Sequence, residues 1–213
     1  MATKKQATRD GRRAGRRGNP AAAGALLFAV GLIAVLGIIT AEALYPGYST
    51  SANEISDLGA TPPPQSLVVQ PSATIFNTTM MVCGALVILA AFFLYRAFRS
   101  RAVAISTGLF GVGALGVGVF PGNYGDLHAG FALLTFIAAA VAAILAYKVE
   151  TAPFRYFSVV LGAVSLVVLA LYFILGDSHP LARLGSGGIE RWVAYPILLW
   201  VTGFGGYLLG RSR

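Results

Sequence analysis

Long apolar stretches alternate with short polar segments along the chain, and this alternation sets the predicted elements. The apolar stretches lie at 21–44, 73–95, 102–120, 128–147, 154–175 and 192–210. Each is close to the ~20 residues that an α-helix needs to cross roughly 30 Å of hydrocarbon. The alternation typical of a β-barrel is missing from the sequence, and a helix satisfies its own backbone hydrogen bonds in lipid. The pattern predicts an all-α integral membrane protein, a six-transmembrane-helix bundle formed by one domain over residues 21–211.

Positive charge is distributed unevenly about these spans. Residues 1–20 are basic and lack apolar periodicity, so we expect a disordered tail. Of the 16 Lys and Arg residues, all except Arg183 and Arg191 lie on the side of the two chain termini. The positive-inside rule then predicts cytoplasmic termini in the cell membrane. It explains the net charge of +8 without a nucleic-acid partner, and membrane lipids are the expected partners of the tail.

Polar residues collect on the opposite side of the predicted bundle, which we expect to face outward and call the cap end. The side of the chain termini is called the terminal end. The cap end comprises residues 45–60, 118–128 and 176–192. With Glu42 it holds six of the eight acidic residues and both histidines. Within its first segment, Ile55 and Leu58 favour a short helix on the bundle, whereas the following TPPPQS favours an extended spacer.

These polar groups favour a binding site at the cap end, because polar side chains near hydrocarbon are costly unless they are used. The expected ligand is a lipid headgroup or a small polar molecule, with no cofactor. The candidate ligand-binding residues are Asn53, Glu54, Ser56, Asp57, Asn77, Asp126, His128, Glu190 and Arg191. Structural roles remain open for some of them: Asp126 suits a helix N-cap, Glu190 suits a helix start, and Arg191 suits a pair with a loop carboxylate.

A metal-dependent hydrolase of lipids or amides is the alternative function. Zinc commonly takes three or four protein ligands, and His128, His179 and Asp126 provide such a set. However, the sequence has no HExxH or HxxxH spacing, no Walker A pattern, no G-x-S-x-G elbow and no CxxCH haem site. Whether the protein is an enzyme is therefore left open by the sequence.

Small residues concentrate in the third and fourth spans. Five glycines lie between 108 and 118, and five alanines lie between 138 and 143. Because small residues let membrane helices approach closely, we expect these two spans at the centre of the bundle. Small residues that faced lipid would instead indicate an accessory subunit of a membrane complex, or a homo-oligomer.

Several motifs resemble those of a known family. They are YPGYS and NEISDLGA after the first span, GVFPGN and LHAGFA before and in the fourth, and ERWVAYPILLW and GFGGYLLG in the sixth. Over about residues 21–211 the chain is similar to the multi-pass family catalogued as domain of unknown function nine-nine-eight. The resemblance implies a six-helix membrane protein of archaea or bacteria without an assigned activity.

A more distant likeness is to the alkaline ceramidases and adiponectin receptors, which are seven-helix hydrolases with a zinc held by three histidines. This chain departs from them in having six spans, two histidines and no HxxxH. Carried over, the likeness implies His128 and His179 as zinc ligands, Asp57 or Asp126 completing the site, and Ser56 nearby.

Overall fold

The computed structural model describes residues 18–178 and 180–211. Its long helices are α1 (Ala21–Ala43), α2 (Ser72–Phe98), α3 (Arg101–Val119), α4 (Asp126–Ala146), α5 (Phe154–Leu175) and α6 (Gly185–Gly210). All six are long and apolar enough to cross a membrane, and the described residues include no strand. The all-α, six-helix prediction is confirmed. Residues 1–17 of the predicted tail, and His179, lie outside the described residues.

The six helices are arranged as a ring. Each packs on the next in chain order, and α1 packs on α6 to close the circle. A smaller contact joins α4 to α6, so α5 lies against the outside of that pair and is the least buried span. The largest fully buried side chains include Trp200, Phe204 and Leu208 of α6 and Leu27 and Val30 of α1. They form the core of the half towards the terminal end.

Small residues bring the backbones of neighbouring helices together, as their clustering predicts. A Cβ on Gly84 of α2 would lie 2.4 Å from the Leu115 nitrogen of α3, which is closer than packed atoms allow. The alanines at 138–140, 142 and 143 of α4 are also buried. However, α3 and α4 are two neighbours in the ring rather than its centre, so that part of the prediction is wrong.

The sixth helix begins at Gly185, seven residues before its apolar stretch. The hydrophobic pattern did not predict a helix over residues 185–191, because this segment is glycine-rich and polar. Its helical form depends on contacts with the first loop. One such contact is the bond from the Gly187 nitrogen to the Ser51 oxygen, at 3.0 Å. In consequence Glu190 and Arg191 lie in the second turn of α6 rather than at its start.

The first cap-end loop folds back onto the bundle. A 3₁₀ turn spans Ser56–Leu58, and Ile55 and Leu58 are 5% and 0% exposed, which confirms the predicted short helix. The TPPPQS segment is not the extended spacer predicted for it. It turns at 63–65, where the Ser66 backbone nitrogen donates a hydrogen bond to the Pro62 carbonyl oxygen at 3.2 Å.

Candidate functional site

Arg191 fastens the first loop to α6. Arg191 as a whole is 8% exposed. Its Nη2 donates to Glu42 Oε1 at 2.5 Å and to the Tyr48 hydroxyl at 2.7 Å. Its Nη1 donates to the carbonyl oxygens of Thr50, Asn53 and Gly187 at 2.9, 3.0 and 2.8 Å. The expected carboxylate partner of Arg191 is therefore present, but it is supplied by the last turn of α1 rather than by the loop.

Tyr48 is the second anchor of the loop, and it is not among the ligand-binding residues predicted from the sequence. Its hydroxyl accepts from Arg191 and donates to the Glu54 carbonyl at 2.8 Å, while its ring lies under the guanidinium at 5.5 Å. Burial raises the pKa of Tyr48 above its ordinary value, so the hydroxyl stays protonated and available as a donor. The aromatic residue within the otherwise polar YPGYS stretch is the signal that could have found it.

Other candidate residues shape the loop from within. Asp57 Oδ2 accepts from Asn53 Nδ2 at 3.2 Å and from the Glu54 backbone nitrogen at 3.1 Å. Asn77 of α2 donates from Nδ2 to the Gly59 carbonyl at 3.4 Å, at the far end of the loop. The structure thus gives Asn53, Asp57, Asn77 and Arg191 contacts within the protein, and their role in ligand binding stays a prediction.

The remaining candidates line a cavity of about 700 Å³ beneath the loop. Its polar lining includes Glu54, Ser56, Asp126, His128, Ser186 and Glu190. Its other wall is apolar and comes from α4 and α5, with Leu133, Phe136, Leu169 and Phe173. Because Phe173 is 64% exposed and Leu133 is 37% exposed, this wall reaches the apolar outer surface of the bundle. The cavity therefore joins a polar cap to a lipid-facing edge.

His128 lines this cavity, and one of its ring nitrogens has no hydrogen-bond partner among the described residues. Its Nδ1 lies 2.7 Å from the Phe120 carbonyl oxygen, which can only accept, so Nδ1 carries the proton in the neutral ring. Its Nε2 is then an acceptor, and it is buried without a hydrogen-bond partner among the described residues. The residue as a whole is 8% exposed. Asp126, by contrast, is an exposed first residue of α4, and the predicted N-cap position belongs to Gly125.

Glu190 lies between this cavity and a second one. Its Oε2 accepts a hydrogen bond from the Ile55 backbone nitrogen. A smaller apolar cavity of about 90 Å³ inside the ring shares Ser56, Ala132, Phe136 and Glu190 with the larger one. Burial and the neighbouring Asp57 raise the pKa of Glu54, which also lines the larger cavity. The polar lining of the site is thus rich in carboxyl groups.

The predicted metal set is only partly described. Within residues 18–178 and 180–211, no group of three or more His, Cys, Asp or Glu side chains is arranged to hold a metal ion. His128 and Asp126 both line the large cavity, but His179 lies outside the described residues. A zinc site formed by these residues stays a prediction.

A second buried carboxyl lies at the terminal end and gave no signal in the sequence. Glu150 follows α4, is 4% exposed, and its Oε1 accepts from Ser158 Oγ at 2.8 Å. Burial raises the pKa of this carboxyl to about 7. None of the cavities described above includes it in its lining.

Comparison with known proteins agrees with the architecture. Neither the curated proteins nor the solved structures gave a significant match, so the likeness to ceramidase-type hydrolases gains no support. One family model matches residues 22–207, which is most of the chain and includes all six helices. That family's members are described as "Protein of unknown function (DUF998)", and this multi-pass, helical membrane protein belongs to it.

Proposed function

We propose that this protein binds a lipid headgroup or a small polar ligand in the large cavity at the cap end. The observation that carries the proposal is that His128 lines this cavity and that its buried Nε2 has no hydrogen-bond partner among the described residues. A buried polar atom left without a hydrogen bond costs on the order of 1–3 kcal/mol, and a bound ligand that donates to it removes that cost.

The size and lining of the cavity support this function. Ligand sites in proteins are commonly clefts of roughly 300–1,000 Å³ with mostly apolar walls and a few converging polar groups. The volume of about 700 Å³ and the division between polar cap and apolar wall fit that description. The apolar wall gives a lipid chain a path from the membrane, while the polar groups receive its head.

The roof of the cavity is held in place before any ligand arrives. Glu54 and Ser56 lie in the loop that Arg191 fastens through Tyr48 and Glu42. Pre-organised sites lose less entropy on binding, so a fixed roof favours affinity. The cap end faces outward in this proposal, and the ligand reaches it from the outer leaflet.

Filling the cavity tests the proposal. Ala132 lines both cavities, so A132F is expected to displace co-purified lipid from the detergent-solubilised protein, measured by native mass spectrometry and lipid analysis. The matched control is A29F, because Ala29 has similar intermediate exposure on α1 and lines neither cavity. Equal lipid content in wild type, A132F and A29F, with unchanged melting temperatures, contradicts the proposal.

A further inference from the structure

We infer that the polar group of the ligand in the large cavity is a primary ammonium. This inference rests on the proposed function and adds the chemistry of the ligand. It follows from three properties of the lining: the carboxyl groups in it, the unpartnered acceptor on His128, and the absence of Lys and Arg from the described residues that line this cavity.

The lining favours a positive ligand. Its ionisable side chains include three carboxyl groups, those of Glu54, Asp126 and Glu190, and no Lys or Arg is among the described residues that line it. The nearest cation in sequence is Arg191, but its charge is committed to Glu42 at 2.5 Å. The same carboxyl groups would disfavour an anionic phosphate or sulfate.

The hydrogen-bonding pattern narrows the kind of cation. The neutral His128 ring presents an acceptor at Nε2, and the carboxylates of Glu54 and Glu190 present further acceptors. A primary ammonium has three donors and no acceptor, so it can bond to several of these groups at once. A quaternary ammonium carries the same charge but no donor, and it would leave Nε2 without a partner.

The two sources of such a group are an amphiphile and a free amine. The apolar wall of Leu133, Leu169 and Phe173 would be in contact with the chain of an amphiphile. A small amine would leave this wall without a partner. Burial of an alkyl chain contributes roughly 0.8 kcal/mol per methylene, so a longer chain is expected to bind more tightly if it occupies the wall.

The test compares four probes against the protein in phosphatidylcholine nanodiscs, with empty nanodiscs as the blank. The probes are octylammonium, octyltrimethylammonium, octyl sulfate and methylammonium, and binding is measured by calorimetric titration. Octylammonium is expected to bind about tenfold more tightly than its trimethyl analogue and its sulfate analogue. Tighter binding of octylammonium than of methylammonium assigns the site to amphiphiles, and equal binding assigns it to free amines.

Substitutions locate the ammonium. E190Q removes a charge but keeps an amide oxygen to accept from the Ile55 nitrogen, and it is expected to weaken octylammonium binding about tenfold. E150Q makes the same change outside the cavity and is expected to leave binding unchanged. If E190Q does not fold, octylammonium binding is measured with E54Q, which changes a lining carboxyl group in the loop.

Two kinds of failure are distinguishable. Equal binding of the ammonium and sulfate probes, or of octylammonium and octyltrimethylammonium, overturns the ammonium inference, as does unchanged binding by both E190Q and E54Q. The proposed ligand site itself survives those results if A132F still displaces lipid while A29F does not. If A132F displaces nothing, the proposed function fails, whichever probe binds.

Discussion

The two ends of the bundle hold a carboxyl group in different surroundings, buried at one end and half-buried beside a cavity at the other. At the terminal end, Glu150 is 4% exposed, receives a hydrogen bond from Ser158, and lines no described cavity. At the cap end, Glu190 lies where two cavities adjoin, and beside it Arg191 pairs with Glu42. A buried charge without space around it indicates a role in folding, whereas one that faces space can meet a ligand.

The cap end itself combines both situations in consecutive residues. Arg191 donates from Nη1 and Nη2 to protein acceptors and so stabilises the loop, whereas the carboxyl group of Glu190 lines the cavity. The comparison therefore assigns a structural role to Arg191 and Glu150 and a binding role to Glu190.

The largest expected effect is that of R191A. Removing one partner of a buried ion pair typically costs about 3–5 kcal/mol, because the other charge is left without compensation. In R191A the uncompensated charge is the carboxylate of Glu42. We expect a loss of this order in the free energy of unfolding and faster hydrogen exchange across residues 45–60. Thermal unfolding and exchange mass spectrometry measure both.

Arg183 provides the matched control for that substitution. It is exposed at the same end of the bundle, so R183A is expected to change stability by less than about 0.5 kcal/mol. If R191A were no more harmful than R183A, Arg191 would not fasten the loop. A variant that stays folded but loses only ligand would move Arg191 into the binding set, as its sequence position first suggested.

The next effect concerns the backbone contact between α6 and the loop. A Cβ on Gly187 would lie 1.9 Å from the Asn53 carbonyl oxygen, so G187A must push the loop away. Overpacking of this kind costs about 1–3 kcal/mol. G210A, at the terminal end of the same helix, has no atom of the described residues within 4 Å of its new methyl group and is expected to be neutral. Equal melting temperatures for the two variants would contradict the close approach.

Sequence pattern predicted the spans well and the cap end less completely, and the reason is physical. Bilayer thickness sets the length of a span, so apolar length alone found α1 to α5 to within a few residues. The first turn of α6 is formed by glycines that pack on the backbone of the loop. Every residue has a backbone carbonyl, so the sequence does not indicate that the carbonyl of Asn53 makes this contact. Polarity selected both Glu190 and Arg191, but it cannot tell a side chain that lines a cavity from one that holds a loop.

The smallest expected effect tests the terminal end through pH. Burial raises the pKa of Glu150 from 4.5 to about 7, so the folded protein binds more protons than the unfolded chain between those values. Stability linked to this group is therefore highest below pH 4.5, falls as the pH rises, and levels off above about pH 7. E150Q removes the titration, so the difference in melting temperature between wild type and E150Q should change across this window and nowhere else. A difference that stays constant with pH would show that Glu150 is not held in a closed apolar site. The structural role assigned to Glu150 would then be wrong.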